Sequence, residues 1–98
     1  DEDEFILSKL KKKKSKLVRA PSVKDSPVNL ECKLVKIIKL KSNAKETSTM
    51  IIGEVIGIFI KDKFIKNNRV DSLSMHYIAR MGYSEYTTVA SKFNLKRK

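Results

Sequence analysis

Hydrophobic and polar residues alternate most regularly in the segment that begins at Val28. The apolar positions are Val28, Leu30, Cys32 and Leu34, and the polar positions between them are Asn29, Glu31 and Lys33. This period of two is typical of a half-buried β-strand. The alternation loses its phase from Val35 to Ile38. We therefore expect a bulge or a change of burial near Leu34.

A second apolar run extends from Thr49 to Ile60 and is apolar on both faces. Such a run predicts a strand in the middle of a sheet. Its glycines, Gly53 and Gly57, indicate places where another backbone or a ligand comes close. The polar residues from Lys41 to Ser48 predict a surface turn between the two strands.

Shorter elements are expected after Ile60. The pattern predicts a turn from Lys61 to Lys63, a short strand at Phe64 and Ile65, and a turn at Asn67 and Asn68 before Arg69, Val70 and Asp71. Ser72 or Ser74 is a candidate N-cap for a brief helix that runs into Met81.

The amino-terminal part has a different character. From Asp1 to Leu17 acidic residues come first and lysines later, which suits the dipole of a short helix. Leu7, Leu10 and Leu17 would lie near one face of that helix. Two prolines between Arg19 and Pro27 predict an extended connector. We therefore divide the chain into a helix and linker at residues 1–27 and a β-rich part at residues 28–98. The fold class is mainly β, a small antiparallel barrel or part of one with one or two short helices.

Composition sets limits on the class of protein. The chain has 98 residues, of which 41% are hydrophobic, and this is enough for one core. Its apolar runs are shorter than the roughly 18 residues that a membrane-spanning helix needs. We expect no membrane association. The acidic start and the single cysteine, Cys32, favour a cytoplasmic protein without an internal disulfide.

The formal net charge is +11, but the lysines and arginines are spread along the chain. Modules that recognise nucleic acids usually concentrate such residues in a stripe with interleaved aromatic side chains. The lysine run from Lys11 to Lys14 has no aromatic neighbour. We therefore expect non-specific attraction to polyanions and no specific binding of nucleic acid.

Candidate chemistry is concentrated between His76 and Tyr86, in the string H-Y-I-A-R-M-G-Y-S-E-Y. Aromatic rings and a guanidinium offer flat faces for stacking on a planar ring, and Gly82 would let the backbone approach closely. A planar cofactor is one interpretation. The alternative is a short helix and turn whose tyrosines cover the core with their hydroxyls in water.

Other reactive residues favour structural interpretations. His76 is the one histidine, so a conventional zinc site is not expected. Cys32 alternates with apolar residues, which favours a buried structural thiol over a nucleophile. Glu54 lies among apolar residues, and we expect it to pair with a lysine across the sheet or to mark a bulge in preference to a role in proton transfer.

Four segments occur in an order and spacing that resemble a known family. They are S-P-V-N-L-E-C-K-L from Ser26 to Leu34, I-I-G-E-V-I-G from Ile51 to Gly57, R-V-D from Arg69 to Asp71, and the string from His76 to Tyr86. Together they resemble the carboxy-terminal half of the FMN-binding split-barrel flavin reductases.

The resemblance implies a six-stranded antiparallel Greek-key split barrel that forms a homodimer, with FMN in a groove near the subunit interface. NADH or NADPH would reduce the flavin. The residues that would lie beside the flavin or the nicotinamide are His76, Tyr77, Arg80, Met81, Gly82, Tyr83 and Tyr86. Arg80 would stabilise negative charge on reduced flavin or bind a phosphate, and Tyr83 or Tyr86 would stack. Family members often carry a second glycine where this chain has Tyr83.

Members of the family are about twice as long as this chain, and their first half carries the Thr- and Ser-rich loops that hold the flavin phosphate. Two functions therefore stay open. The first is an oxidoreductase module of the flavin reductase type that is completed by a separate amino-terminal half or by an oligomer. The second is a non-catalytic remnant or assembly subunit whose basic surface meets a partner protein or polyanions. In either case the two-faced strand predicts a homo-oligomer or an obligate complex. FMN and FAD are not distinguished.

Overall fold

The computed structural model describes residues 3–43 and 48–97. Its regular elements are α1 (Glu4–Ser8), β1 (Lys12–Lys13), β2 (Ser22–Val23), β3 (Val28–Leu40), β4 (Ser48–Ile60), β5 (Ile65–Lys66), β6 (Arg69–Val70), β7 (Ile78–Arg80) and β8 (Tyr86–Thr88). Two single-turn 3-10 helices lie at Asp62–Phe64 and Leu73–Met75. The mainly β class is confirmed. The described strands form four separate two-stranded sheets, so they do not close the predicted barrel.

The chain divides into two compact units, Asp1–Phe59 and Ile60–Lys98. The first unit is built on β3 and β4, which are hydrogen-bonded neighbours of 13 residues each. The short segment that joins them allows only an antiparallel pair, because a parallel connection needs a crossover of roughly a dozen residues or more. Both predicted strands are confirmed. The division at residue 27 into helix and linker and β-rich part stays a prediction.

The burial of β3 and β4 differs from the expectation. Leu34 is exposed, and so is Cys32, which was expected to be a buried thiol. In β4 the side chains of Ile51 and Ile58, on opposite faces of the strand, are 69% and 61% exposed. The reason is that β4 has β3 as its one neighbour among the described strands, so it lies at an edge and not centrally. No hydrophobic side chain is buried in the described part of the chain.

The most buried side chain of β3 is polar. Glu31 is 5% exposed, and its carboxylate accepts the backbone N–H of Lys16 at 3.0 Å and that of Leu17 at 2.6 Å. The Lys16 ammonium lies 5.3 Å from the centre of the Phe59 ring. These contacts fasten the segment after β1 to the sheet, since an ionised carboxylate forms strong hydrogen bonds with backbone N–H groups.

Gly57 makes room for the same segment. A Cβ atom at this position would lie 2.7 Å from Cδ1 of Leu17, and one at Gly53 would lie 3.3 Å from Cβ of Cys32. The expected approach of another backbone is confirmed at Gly53, where the carbonyl oxygen of Lys33 would lie 3.4 Å from the Cβ, whereas side chains and not a backbone come close at Gly57. Neither glycine has a positive φ, so close approach explains them better than an unusual backbone conformation.

The amino-terminal helix is shorter than expected. The carboxylate of Asp3 caps α1 by accepting the N–H of Phe5 at 2.9 Å, and α1 ends at Ser8. This hydrogen bond, followed by the contact with Lys12, lowers the pKa of Asp3. Leu10 and Leu17 lie beyond the helix. Residues 22–23 of the predicted connector form β2, which pairs with β1 in antiparallel sense. No described helix is long and apolar enough to cross a bilayer.

The second unit begins with a tight hairpin. β5 pairs with β6, with Ile65 opposite Val70 and Lys66 opposite Arg69. Asn67 and Asn68 form the predicted turn, with φ angles of 53° and 61°. Both central residues of a type I′ turn need a positive φ, and asparagine accepts it more readily than most residues.

The predicted helix that runs into Met81 is wrong. The structure has a single 3-10 turn at Leu73–Met75, and His76 ends it with a φ of 50°. The chain then continues as β7, because residues 78–80 find a hydrogen-bonding partner in β8. Ser72 makes no side-chain capping bond. Ser74 instead donates its hydroxyl to the carbonyl of Asp71 at 3.1 Å.

We expect the carboxyl group of Asp71 to titrate below its ordinary pKa of 3.8, because hydrogen bonding with Ser74 and then Lys66 favours its ionised form. Because the pKa of Asp71 is lower in the folded protein than in the unfolded chain, its ion pair with Lys66 stabilises the fold above about pH 4. This stabilisation is lost as the pH falls through the folded-state pKa. An NMR titration of the Asp71 side chain measures this midpoint. Lys66→Ala should raise the midpoint, whereas Lys63→Ala, on the nearby 3-10 turn, should leave it unchanged. A wild-type midpoint at or above 3.8 would contradict the expectation.

Candidate functional site

The string that the sequence singled out forms a β-hairpin. β7 and β8 are antiparallel, with Arg80 opposite Tyr86 and Ile78 opposite Thr88. Two backbone hydrogen bonds close the loop, from the N–H of Met81 to the carbonyl of Glu85 at 2.8 Å and from the N–H of Glu85 to the carbonyl of Gly82 at 3.0 Å. The alternative of a short helix and turn is therefore wrong for this segment.

The hairpin brings three of the predicted site residues into contact. The guanidinium carbon of Arg80 lies 5.7 Å from the centre of the Tyr86 ring, and Nη1 of Arg80 donates to the Tyr86 hydroxyl at 3.5 Å. Nη2 of Arg80 donates to the carbonyl of Tyr83 at 3.4 Å. Arg80 has no ion pair with a carboxylate in the part of the chain that the structure describes. The result is a positively charged group held on an aromatic ring, which can attract an anion or a π-electron system.

The remaining site residues are close to Arg80 in sequence. Tyr77 donates its hydroxyl to the sulfur of Met75 at 3.2 Å, and its carbonyl accepts the N–H of Val89 at 2.7 Å. His76 donates its backbone N–H to the carbonyl of Leu73 at 3.2 Å. Met81 is exposed at the start of the loop. No described contact joins His76 or Tyr77 to Arg80, so the structure does not bring all seven predicted residues together.

The turn of the hairpin carries an unusual backbone conformation. Tyr83 has a φ of 58° and is 93% exposed. It occupies the first central position of the turn from Gly82 to Glu85, where glycine is the residue that fits without strain. Gly82 itself has no positive φ, and nothing lies within 4 Å of the place where its Cβ would stand. The expected close approach at Gly82 therefore involves no other part of the described chain.

We expect Tyr83→Gly to raise the free energy of unfolding by about 1 kcal/mol, because the left-handed conformation costs a residue with a Cβ roughly that much. The Tyr83 side chain is almost fully exposed, so few contacts are lost. Urea denaturation followed by circular dichroism measures the difference. Tyr83→Ala is the matched control, since it removes the ring and keeps the strained Cβ. An equal gain in both variants would show that the ring, and not the backbone, is responsible.

Comparison with known proteins identifies the fold of this chain. No protein-family model matches it. An uncharacterized protein of Halalkalibacterium halodurans is 26% identical over 98 residues, which cover 99% of this chain and 47% of that protein. The chain thus spans about half the length of the curated relative that it matches.

Two solved structures are similar over almost the whole chain. Nitrilotriacetate monooxygenase component B from Bacillus cereus has a TM-score of 0.83 and 24% identity, over 97% of this chain and 49% of its own. The Pseudomonas fluorescens 2-nitrobenzoate 2-nitroreductase has a TM-score of 0.78 and 24% identity, over 97% of this chain and 47% of its own. The chain has the fold of half of each. These similarities concern the fold alone. The closed split barrel, the homodimer and the roles of the individual site residues stay predictions.

The other reactive residues are not gathered into a cluster in the part of the chain that the structure describes. No cluster of three or more His, Cys, Asp or Glu side chains that could hold a metal ion occurs in the described ranges. The thiol of Cys32 is exposed, 3.8 Å from the carbonyl of Leu30. Glu54 is exposed on β4 and has no ion pair with a lysine of residues 3–43 or 48–97. The predicted pairing of Glu54 is therefore absent from this part of the chain.

Sequence reasoning missed a concave surface in the second unit. A groove of about 420 Å³ lies between the β5–β6 hairpin and the carboxy-terminal segment. Its polar lining residues are Lys66, Asn67, Arg69, Asp71, Lys92 and Asn94. The available signal was the string K-N-N-R from Lys66 to Arg69, because a two-residue turn places its flanking residues opposite each other. We refer to this surface as the basic groove.

Proposed function

We propose that the chain is part of an oxidoreductase of the flavin reductase type, which binds FMN and uses NADH or NADPH to reduce it. The observation that carries this proposal is the fold similarity, over 97% of the chain, to a monooxygenase component and a nitroreductase. Both names describe redox enzymes. The motifs from Ser26 to Tyr86 that resemble flavin reductases support the same function.

The β7–β8 hairpin fits a flavin in its chemistry. An isoalloxazine ring is planar and becomes electron-rich on reduction, and the hairpin offers a guanidinium on an aromatic ring together with open space beside Gly82. The residues that would hold the ring are His76, Tyr77, Arg80, Met81, Gly82, Tyr83 and Tyr86. A bound flavin supplies the transfer of hydride and electrons, which no side chain of this chain can supply.

Arg80 has the leading role among these residues. Its positive charge has no carboxylate partner among the described residues, so it is available to favour an anionic ring or a phosphate oxygen. Tyr86 orients Arg80 through the ring contact and the hydroxyl, and the Tyr83 carbonyl fixes the other side of the guanidinium. The exposed ring of Tyr83 is available for stacking on a ligand.

We propose further that a separate amino-terminal half or a second copy completes the site. The chain corresponds to about half of each solved structure, and both faces of β4 expose apolar side chains. Apolar strands with an unpaired edge invite the addition of another chain. The completing polypeptide would contribute the groups that hold the flavin phosphate.

A non-catalytic assembly subunit is the second candidate function. Two observations favour it: many large apolar side chains are exposed in the described residues, and the formal net charge is +11. A subunit of this kind would use its apolar strands to pair with a partner protein and its basic surface to meet polyanions. It would not bind flavin.

Flavin binding separates the two candidates. FMN is titrated with two samples, and its fluorescence and absorbance are followed. One sample is the chain alone, and the other is the chain mixed with the half of the Halalkalibacterium protein that the chain does not match. We expect retention of flavin after desalting in the completed form, and Arg80→Ala to weaken binding by about 10-fold, because a cation on an aromatic or anionic group contributes roughly 1–2 kcal/mol. Lys39→Ala removes the same charge from β3 and should change the affinity by less than about 2-fold. If neither form retains or quenches FMN, the oxidoreductase proposal fails for this chain.

A further inference from the structure

We propose that the basic groove is a binding site for a phosphate-bearing small molecule, separate from the flavin site. None of its residues belongs to the hairpin that carries Arg80 and Tyr86, so the proposal does not depend on flavin binding.

The register of the hairpin places two cations side by side. Lys66 and Arg69 are direct cross-strand partners, so their side chains project from the same face of the β5–β6 hairpin. The Asn67–Asn68 turn holds this register, because both residues adopt the positive φ that a two-residue turn needs. Like charges directly opposite each other destabilise a strand pair. Negative charge nearby therefore stabilises this arrangement.

The chain supplies only part of that charge. Asp71 lies two residues after Arg69, and its carboxylate contacts the Lys66 ammonium at 3.3 Å. The depressed pKa of Asp71 agrees with a carboxylate that stays ionised in this position. Arg69 and Lys92 have no ion pair within residues 3–43 and 48–97. The groove is thus lined by three cations and one carboxylate, and Arg69 and Lys92 are available for an added anion.

The size and the polar groups of the groove narrow the ligand class. Its volume of about 420 Å³ falls within the range of pockets that hold small organic molecules, which exceeds the need of a lone phosphate ion. Arginine binds phosphate oxygens through two parallel N–H groups, and lysine adds a point charge. The side-chain amides of Asn67 and Asn94 can donate to and accept from hydroxyl groups. The geometry therefore suits a phosphomonoester of a polyhydroxylated compound.

Ribose 5-phosphate is a suitable probe, titrated at physiological ionic strength and followed by NMR shifts of the backbone amides. We expect saturable shifts confined to residues 66–71 and 92–94, with a Kd below about 1 mM, and no comparable shifts with ribose. Inorganic phosphate should bind more weakly at the same residues. Arg69→Gln combined with Lys92→Gln should weaken the binding of ribose 5-phosphate by at least about 10-fold, because two charge-assisted contacts are removed.

The control pair is Lys36→Gln with Lys39→Gln, which removes the same charge from two exposed positions of β3. The proposal would be overturned if this control variant lost as much affinity for ribose 5-phosphate as the Arg69 and Lys92 variant does. Such a result would show that net charge alone attracts the ligand. Absence of saturable shifts, or equal shifts with ribose, would overturn it as well. Binding to phosphatidic acid vesicles without binding of ribose 5-phosphate would replace the small-molecule site by a lipid-headgroup surface. FMN retention is measured in a separate experiment, so failure of one proposal does not decide the other.

Discussion

Glu31→Ala is expected to lower the free energy of unfolding by about 2–4 kcal/mol, because it leaves two backbone N–H groups without their acceptor. The carboxylate is almost completely buried and receives the N–H groups of Lys16 and Leu17. Hydrogen bonds to a charged group contribute more than neutral ones, and loss of the acceptor also releases the segment that lies against Gly57. Urea denaturation measures the loss of stability. Hydrogen exchange shows its location through faster exchange at Lys16 and Leu17.

Two further variants separate this explanation from a general effect of acidic residues. Glu54→Ala removes an exposed carboxylate from the neighbouring strand and should change the stability by less than about 0.5 kcal/mol. Glu31→Gln keeps one acceptor oxygen and should fall between the wild type and Glu31→Ala. Unchanged exchange at Lys16 and Leu17 in Glu31→Ala would show that other contacts hold this segment.

The long strands and the asparagine turn could be predicted from the sequence because each depends on local pattern. Strict alternation after Val28 and the run of branched residues before Ile60 both specify extended backbone. The Asn67–Asn68 pair specifies a two-residue turn. These features can be predicted without knowing what packs against them, and the structure has all three.

The burial of Glu31 could not be predicted in the same way. Alternation assigned Glu31 to the solvent face, but the segment after β1 crosses the sheet and brings two backbone N–H groups to its carboxylate. Such an approach is a contact between residues about 15 positions apart, and no local pattern records it. The exposure of Leu34 and Cys32 has a related cause, because alternation indicates which side chains share a face and not whether anything covers it.

The sequence indicated which residues form the candidate site, but it predicted a helix where the structure has a β-hairpin. A serine before an apolar segment suggested a capped helix, yet β7 and β8 pair because extended strands satisfy their backbone groups with each other. The hairpin then joins Arg80, Tyr83 and Tyr86, which helix spacing would have arranged differently. The basic groove escaped prediction since its cations meet only when the turn at Asn67 brings two strands together and the carboxy-terminal segment adds Lys92.

We expect the chain to self-associate at micromolar concentration through β4, whose apolar residues are exposed on both faces. Ile51→Lys combined with Ile58→Lys changes one residue on each face. Burial of an isoleucine contributes about 1.5–3 kcal/mol, so loss of two should weaken association by at least about 100-fold. Sedimentation velocity over a range of concentrations measures the change in the dissociation constant.

The matched control for this variant is Asn43→Lys combined with Ser91→Lys, which adds the same charge at exposed polar positions. It should leave the dissociation constant within about 3-fold of the wild type, because scattered surface charge contributes little to a packed interface. A wild-type chain that stays monomeric at tens of micromolar would contradict self-association through β4. Equal weakening by both variants would assign the association to net charge, whereas selective weakening by the isoleucine variant requires that these apolar faces are covered in the complex.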